Sequence, residues 1–320
     1  MIFHLHQKVS DELREALEVA ASEIDFRRNF ELCVSVDSFI TNACSADLKI
    51  LILWEPTSVL PGNYKISKWR PFDIVIVFSP TKARVSPKQI NVIMPFNIPR
   101  PEIIDPEKRE LSISLINDHK FSSSSNSLYG FRRKILHEFE RRRIPHRLYG
   151  TNWRMSKQLE VRKRFAALKK EVSAKNPPSF RETFSELFHD YSGYMGRVES
   201  KSDAFKQSKF SLVIENDRDI ISEKVFDSVL SRTFTFYVGP NLDVLTINRP
   251  PVFQLPMKVK DAVEIIEERI TQEDSNWLRE IDDYCNNLDS LDFCNSFTIG
   301  KRLGSIIKNS QLSYTNNSNA

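Results

Sequence analysis

The sequence predicts an α/β protein built from two halves with a cleft between them. Short apolar runs of strand length recur along the chain. Helical stretches alternate with them, and a proline-rich break separates two such alternations. With 320 residues and a 40% hydrophobic fraction, the chain has enough material for two packed cores.

In the first half, Ser10-Asp11-Glu12 opens a helical pattern that places Leu13, Leu17 and Ala20 on one face. Lys49–Trp54 and Phe72–Phe78 are continuous apolar runs, suited to strands buried on both faces of a parallel sheet. Gln89–Met94 is a third strand candidate, ending before Pro95. Pro95, Pro99, Pro101 and Pro106 resist regular structure and mark the domain boundary, at 105/106.

The second half restarts at Leu111–Ile116, a strand ending at Asn117. Ser122–Ser125 form a polar loop, Tyr129–Arg143 a basic helix, and Arg147–Gly150 the next strand and its turn. Residues 155–190 are highly charged and read as helical, with a break at Pro177-Pro178. Phe210–Ile214 and Phe234–Pro240 are strands, and 258–288 form one or two amphipathic helices. The polar tail from Tyr314 reads as disordered. The expected domains are therefore 1–105 and 106–265, with 266–320 as C-terminal helices and tail.

Charge and composition narrow the function. A formal net charge of +4 is mild for a dedicated nucleic-acid binder, and no nucleic-acid partner is expected. The scattered Cys33, Cys44, Cys285 and Cys294 give no disulfide framework and point to a reducing compartment. The start Met1–Lys8 lacks the pattern of a signal peptide, and no apolar run reaches membrane-spanning length. The chain is accordingly expected to be cytoplasmic and bacterial, with at most peripheral contact with the inner membrane.

The most informative window runs from Lys209 to Asp227. A buried strand ends in Glu215-Asn216, a short charged loop follows, and Ser222 offers an N-cap with Glu223 and Lys224 in the first turn. Ligands of open α/β sheets bind outside the carboxyl ends of strands, where helix amides favour phosphate. A lysine in a first turn works against the helix dipole, and an anionic ligand removes that conflict. Glu223 is suited to accept hydrogen bonds from sugar hydroxyls.

Lys209, Phe210, Glu215, Asn216, Asp219, Ile221, Ser222, Glu223 and Lys224 match in order the donor-binding signature of the fucosyltransferases, and Thr235–Gly239 fits its closing strand. Tyr191-Ser192-Gly193-Tyr194 is similar to the segment that precedes it. The chain thus resembles glycosyltransferase family 10, the α-1,3-fucosyltransferases. It departs at Ile220, where the family carries an aromatic residue, and this leaves the exact donor sugar open. The resemblance covers roughly 106–265 well and the first half weakly.

The resemblance implies two facing Rossmann-like domains of the GT-B architecture: an acceptor half, 1–105, and a donor half, 106–265. It implies inverting transfer of fucose from GDP-fucose to a hydroxyl of a glycan acceptor, such as a bacterial surface polysaccharide. An arginine contacting the diphosphate is implied after the strand ending in Asn117; Arg132 or Arg133 is its counterpart, with Arg132 preferred. Lys224 shares the diphosphate, Glu223 holds the sugar and Asn216 sits at the donor site. The family's base is a glutamate just past a strand of the acceptor half, which points to Glu55 in Trp54-Glu55-Pro56. No cofactor is required beyond the GDP-fucose donor, and a divalent metal is compatible but not essential.

Other signals weigh less. Asp217-Arg218-Asp219 fits an Asp-x-Asp metal motif, but short acidic triplets are common. The six histidines show no metal-ligand spacing on a shared helix face, and no metal site is expected. The runs Arg132-Arg133-Lys134 and Arg141-Arg142-Arg143 also suit solvated helix faces. A catalytically silent GDP-sugar or glycan binder, and a basic nucleic-acid-binding protein, are the alternatives.

Overall fold

The structure, a computed structural model, describes residues 2–5, 11–23, 31–37, 46–93, 108–153, 189–245, 249–272, 275–287 and 296–317. Eleven strands are described: β1 (Ile2–Leu5), β2 (Glu31–Val36), β3 (Leu48–Leu53), β4 (Ile74–Val77), β5 (Gln89–Asn91), β6 (Glu110–Ile116), β7 (His146–Tyr149), β8 (Tyr194–Gly196), β9 (Ser208–Ile214), β10 (Phe234–Val238) and β11 (Phe253–Gln254). The α-helices are α1 (Asp11–Ser22), α2 (Tyr129–Arg142), α3 (Lys201–Lys206), α4 (Lys224–Leu230), α5 (Val259–Ile270), α6 (Ser275–Asn286) and α7 (Ser296–Asn317). The chain divides into two compact units, one of Met1–Glu55, Gly62–Ile98 and Leu288–Ala320, the other of Pro56–Pro61 and Pro99–Asn287.

The first unit holds a parallel sheet in the order β1-β2-β3-β4-β5. Alternate side chains of the strands point to opposite faces, so each continuous apolar run serves two cores. Ile50, Ile52, Ile74 and Ile76 pack beneath Leu13, Ala16, Leu17 and Ala20 of α1. Leu51, Leu53, Val75 and Val77 pack against Trp69 and Phe72 on the other face. The helix expected from Ser10 is thus α1, its buried stripe including Leu13, Leu17 and Ala20.

Two features differ from the sequence expectation. β2 was not foreseen, because Glu31–Val36 lacks a long apolar run. The C-terminal segment belongs to the first unit, and α7 continues through residues 314–317, where a disordered tail was expected. The reason is burial: Ile299, Leu303 and Ile307, at helical spacing, join the core under α1. The charged segment 155–190 falls almost wholly outside the described residues, as do Cys44 and Cys294. Cys33 and Cys285 are buried free thiols.

The second unit holds a parallel sheet in the order β11-β10-β9-β6-β7-β8. Its two faces differ in chemistry. Ile113, Leu115, Phe210, Leu212, Ile214, Phe234, Phe236 and Val238 face an apolar core that includes Ile135, Leu136 and Phe139 of α2 and Ala262, Val263 and Ile266 of α5. Ser112, Ser114, Ser208, Ser211 and Thr235 are buried as well, and they hydrogen-bond among themselves and to the short helices. The Ser114 hydroxyl donates to the Ala204 carbonyl (3.0 Å), and Ser228 of α4 meets Thr235 at 2.8 Å. Every buried hydroxyl needs a partner, and here the small side chains provide one for each other while letting α3 and α4 approach the sheet closely. The C-terminal end of α4 is closed by Arg109, whose guanidinium donates to the carbonyls of Ser231 (2.8 Å) and Arg232 (2.6 Å).

The contact between α1 and α7 depends on small residues. A Cβ added at Gly300 would lie 2.6 Å from the Ala16 carbonyl oxygen and 2.6 Å from the Val19 Cβ. Gly300→Ala therefore forces the helices apart. Overpacking of this kind costs about 1–3 kcal/mol, and the gain in helix propensity returns only ~1 kcal/mol. The variant is expected to unfold at lower urea concentration than the parent, by a net of up to about 2 kcal/mol.

Candidate functional site

The strand order of the second unit reverses between β6 and β9. From β6 the chain moves outward to β7 and β8, whereas β9, β10 and β11 lie on the other side. Carboxyl ends that flank such a switch point splay apart their following loops and leave a crevice for a ligand. The residues that follow these strands are Asn117 after β6 and Glu215-Asn216 after β9. Asn117 is 5% exposed, and neither its Oδ1 nor its Nδ2 meets a hydrogen-bond partner among the described residues. A buried carboxamide left in that state costs free energy that a ligand can recover.

Arg132 is in the first turn of α2, behind the switch point, and is 1% exposed. Its Nη1 donates to the Asp118 carbonyl at 3.1 Å. Its Nη2 faces the carbonyls of Ile214 (3.1 Å) and Glu215 (3.3 Å) and the Asn216 Oδ1 (3.2 Å). The guanidinium thereby joins the ends of β6 and β9, whose loops are also linked by the Leu128 amide donating to the Asn216 carbonyl (3.1 Å) and the Arg218 amide to the Asn126 carbonyl (2.9 Å). Burial lowers its pKa to about 10, with the charges of Tyr129 and Glu215 opposing. Arg133 is buried too, donating to the Lys120 carbonyl (2.6 Å) and lying over the Phe121 ring. Both arginines are engaged with the protein, and Arg132 acts on the loop through Asn216.

The loop from β9 to α4 is folded around Glu215, which is fully buried. Its Oε1 accepts the Ser222 amide at 2.9 Å and its Oε2 the Ser222 hydroxyl at 2.7 Å. The Tyr237 hydroxyl approaches Oε1 at 3.4 Å. Burial raises the Glu215 pKa, opposed by the Lys224 charge and by the Ser222 bonds. These contacts correct the expected cap: the helix starts at Lys224, with Glu223 at the N-cap position, because Ser222 is held back by Glu215. Gly239 follows from the same crowding, since a Cβ there would meet the Tyr237 Oη at 2.3 Å and the Glu215 Cγ at 2.8 Å.

Asp217 and Asp219 have internal partners. Asp217 Oδ2 accepts the Thr57 hydroxyl (2.7 Å) and the Ser58 amide (3.0 Å), and its Oδ1 accepts the Asp219 amide (3.1 Å). Asn126 Nδ2 donates to Asp219 Oδ2 at 2.7 Å. Ile220 and Ile221 are buried.

At the start of α4, Lys224 Nζ lies 3.4 Å from the Ser222 hydroxyl, and the side chain is half-buried. Glu223 pairs with Lys201 at 2.5 Å, and Lys201 also reaches Asp227 at 3.1 Å. Burial pushes the Glu223 pKa up, but Lys224 and Lys201 outweigh it and hold the carboxyl at about 2. Lys201 was not foreseen. Its only sequence signal is Ser200, which caps α3 by accepting the Asp203 amide and so fixes where Lys201 stands.

In the first unit, Glu55 lies just past β3 and is half-buried. Its amide donates to Asp37 Oδ2 at 3.0 Å, and its carbonyl accepts the Tyr64 hydroxyl at 3.1 Å. Asp37, just past β2, has a left-handed backbone (φ 51°) and also accepts the Trp54 amide at 3.0 Å. Burial lifts its pKa to about 6; the Glu55 charge adds to the rise and the amide bonds oppose it. A second carboxyl beside Glu55 was invisible in the sequence, because it comes from a different strand.

The tertiary fold also gathers side chains that helix spacing did not join. His137 and Glu140, on α2, are brought together with His189, and one ligand atom from each lies within 4.8 Å of the others. Spacing on a single helix does not reveal such a group, because its third member is supplied by the tertiary fold.

No family model and no curated protein matches the sequence. Solved structures do match. An alpha-glucosyltransferase in complex with UDP and a 13-mer DNA containing a HMU base aligns over 92% of this chain and 84% of its own, at 11% identity and a TM-score of 0.50. A glycosyltransferase from Rickettsia africae ESF-5 aligns over 97% and 85%, at 11% identity and a TM-score of 0.49. An alpha1,3-fucosyltransferase with GDP-fucose aligns over 89% and 78%, at 14% identity and a TM-score of 0.45. At these identities the likeness is one of fold, and the fold is one used by glycosyltransferases. One of these proteins was solved with DNA, so the expectation of no nucleic-acid partner gains no support from the fold. Among the described residues no helix is long and apolar enough to cross a membrane.

The depressed Glu223 carboxyl has a pH signature. A folded-state pKa below the ordinary 4.5 gives stability that is present above pH 4.5 and is lost as the pH falls toward 2. Glu223→Gln should be less stable than the parent by about 1–2 kcal/mol at pH 7, a figure reduced for solvent screening of a partly exposed pair. The difference should shrink steadily in urea titrations run from pH 5 down to pH 3.

Proposed function

We propose that this chain is an inverting glycosyltransferase that uses a nucleotide-diphosphate sugar, with GDP-fucose as the donor and a glycan hydroxyl as the acceptor. The observation that carries the proposal is the switch point. Asn117, whose buried carboxamide meets no hydrogen-bond partner among the described residues, and the Glu215–Lys224 loop follow the adjacent strands β6 and β9 at the carboxyl edge of a parallel sheet, where the strand order reverses. The order of motif residues there supports a guanosine donor, and the fold shared with glycosyltransferases agrees with the reaction class.

In this proposal Lys224 binds the diphosphate and takes up the negative charge that builds on it as the glycosidic bond breaks. Glu223, kept ionised by Lys201 and Lys224, accepts hydrogen bonds from sugar hydroxyls. Arg132 is a positioning residue: it holds Asn216 and the two strand ends at fixed separation. Glu55 is the base. It takes the proton of the acceptor hydroxyl while that oxygen bonds to the anomeric carbon from the side opposite the departing diphosphate. A divalent metal is compatible with this chemistry, and localisation in a bacterial cytoplasm fits a donor made there.

A second proposal replaces the guanosine donor by a UDP-sugar and the glycan by DNA, as in the glucosyltransferase of similar fold. A thermal-shift screen of GDP, UDP, CMP and ADP separates the two. Stabilisation by GDP alone is expected, rising as RT ln(1 + [L]/Kd), about 2.7 kcal/mol at 100 Kd. Lys224→Ala should weaken GDP at least tenfold, measured on the folded variant, whose ligand-free unfolding midpoint should fall because a charge that compensates Glu215 and Glu223 is lost. No response to any nucleotide removes the enzyme assignment. Glu55→Gln should lower kcat by about 10²–10⁴, the usual contribution of a general base, and leave the GDP Kd unchanged within a factor of two. Retention of full turnover would move the base elsewhere, with Asp37 the next residue to replace.

A further inference from the structure

The geometry points to a zinc site formed by His137, Glu140 and His189, distinct from the donor loop, that fastens α2 to the chain entering β8. His137 and Glu140 are three apart on α2 and share a face of the helix. His189 reaches them from the segment that leads through Tyr191 to β8. One ligand atom from each of the three lies within 4.8 Å of the others. Tetrahedral zinc holds imidazole nitrogen and carboxylate oxygen at about 2.0–2.2 Å, which separates ligand atoms by roughly 3.3 Å. Small rotations of the three side chains meet that requirement.

The surroundings prepare the group for a cation. The two oxygens of Glu140 have separate tasks. Oε1 accepts the Ser192 amide (2.6 Å) and hydroxyl (3.1 Å), which fixes the carboxylate plane. Oε2 is turned toward His189 Nε2, 2.5 Å away. A carboxylate held by outer hydrogen bonds with one oxygen directed at the ligand set is the usual support around a metal. The imidazoles of His137 and His189 pack edge to face at 4.3 Å between ring centroids. Tyr191, 2% exposed, packs against both rings, at 5.4 and 4.5 Å, and limits their motion. His189 and Glu140 remain 33% and 17% exposed, so water can enter and complete the fourth position. Two imidazoles and one carboxylate favour zinc over magnesium or calcium, which prefer oxygen.

The test uses the full chain, stripped with EDTA and desalted. Titration with ZnCl2 should give one zinc per chain and a higher Tm, and cobalt(II) should develop the ligand-field bands of a four-coordinate nitrogen and oxygen site. MgCl2 at equal concentration should leave the Tm unchanged. His137→Ala and His189→Ala should each weaken zinc at least tenfold while keeping the far-ultraviolet circular dichroism of the parent. His137→Ala is decisive if His189→Ala does not fold, because it leaves the Glu140–His189 pair in place. No zinc binding by the parent, or unchanged binding and Tm response in His137→Ala, would overturn the site and leave Glu140–His189 as an ion pair only.

Discussion

A carboxylate sealed from water at the end of β9 sets the requirement that the second unit is organised to meet. Glu215 is fully buried, and an ionised carboxylate in that position is tolerated only with strong compensating contacts. Ser222 supplies an amide and a hydroxyl, Tyr237 approaches, and the positive charge of Lys224 stands nearby. These requirements shape the loop. They pull Ser222 back from the helix, delay the first turn of α4 to Lys224, and demand a residue without Cβ at position 239. The position of Lys224, the residue proposed to bind the diphosphate, is thus a consequence of satisfying Glu215.

Arg132 is the other fixed charge at this edge. A guanidinium has a rigid fork of donors, and here the fork binds carbonyls of two neighbouring strand ends. A lysine has no equivalent geometry. The same property that suits arginine to phosphate suits it to this task, which is why residue type alone did not distinguish them. Lys201 completes the electrostatics from a third direction. By neutralising Glu223 and Asp227 it leaves Lys224 with less local negative charge to balance.

The second unit also shows how chemistry can be divided between the faces of one sheet. Apolar side chains of β6, β9 and β10 support the long helices α2 and α5, while serines and threonines of the same strands support the short α3 and α4. Hydroxyls pair across a close contact where larger apolar groups would hold the helices away. Short helices near the sheet keep Lys201 and Lys224 close to the strand ends. The aromatic and histidine packing around Tyr191 sits elsewhere, against α2, and is a separate piece of architecture.

The sequence by itself determined the strands and the motif. Continuous apolar runs identified β3 and β4, because a strand buried on both faces needs little else, and shorter apolar stretches marked β6, β9 and β10. The ordered residues from Lys209 to Lys224 marked the candidate site, because strand, loop and helix start are contiguous there. What only the tertiary structure decided is everything that joins distant segments. The burial of Arg132, the pairing of Lys201 with Glu223, the carboxyl of Asp37 beside Glu55 and the meeting of His189 with His137 all bring together residues from different elements. The return of α7 to α1 has the same character, since its apolar stripe shows that it must be covered but not by what. Periodicity reports which side of an element is buried; the identity of the partner depends on how the chain closes in space.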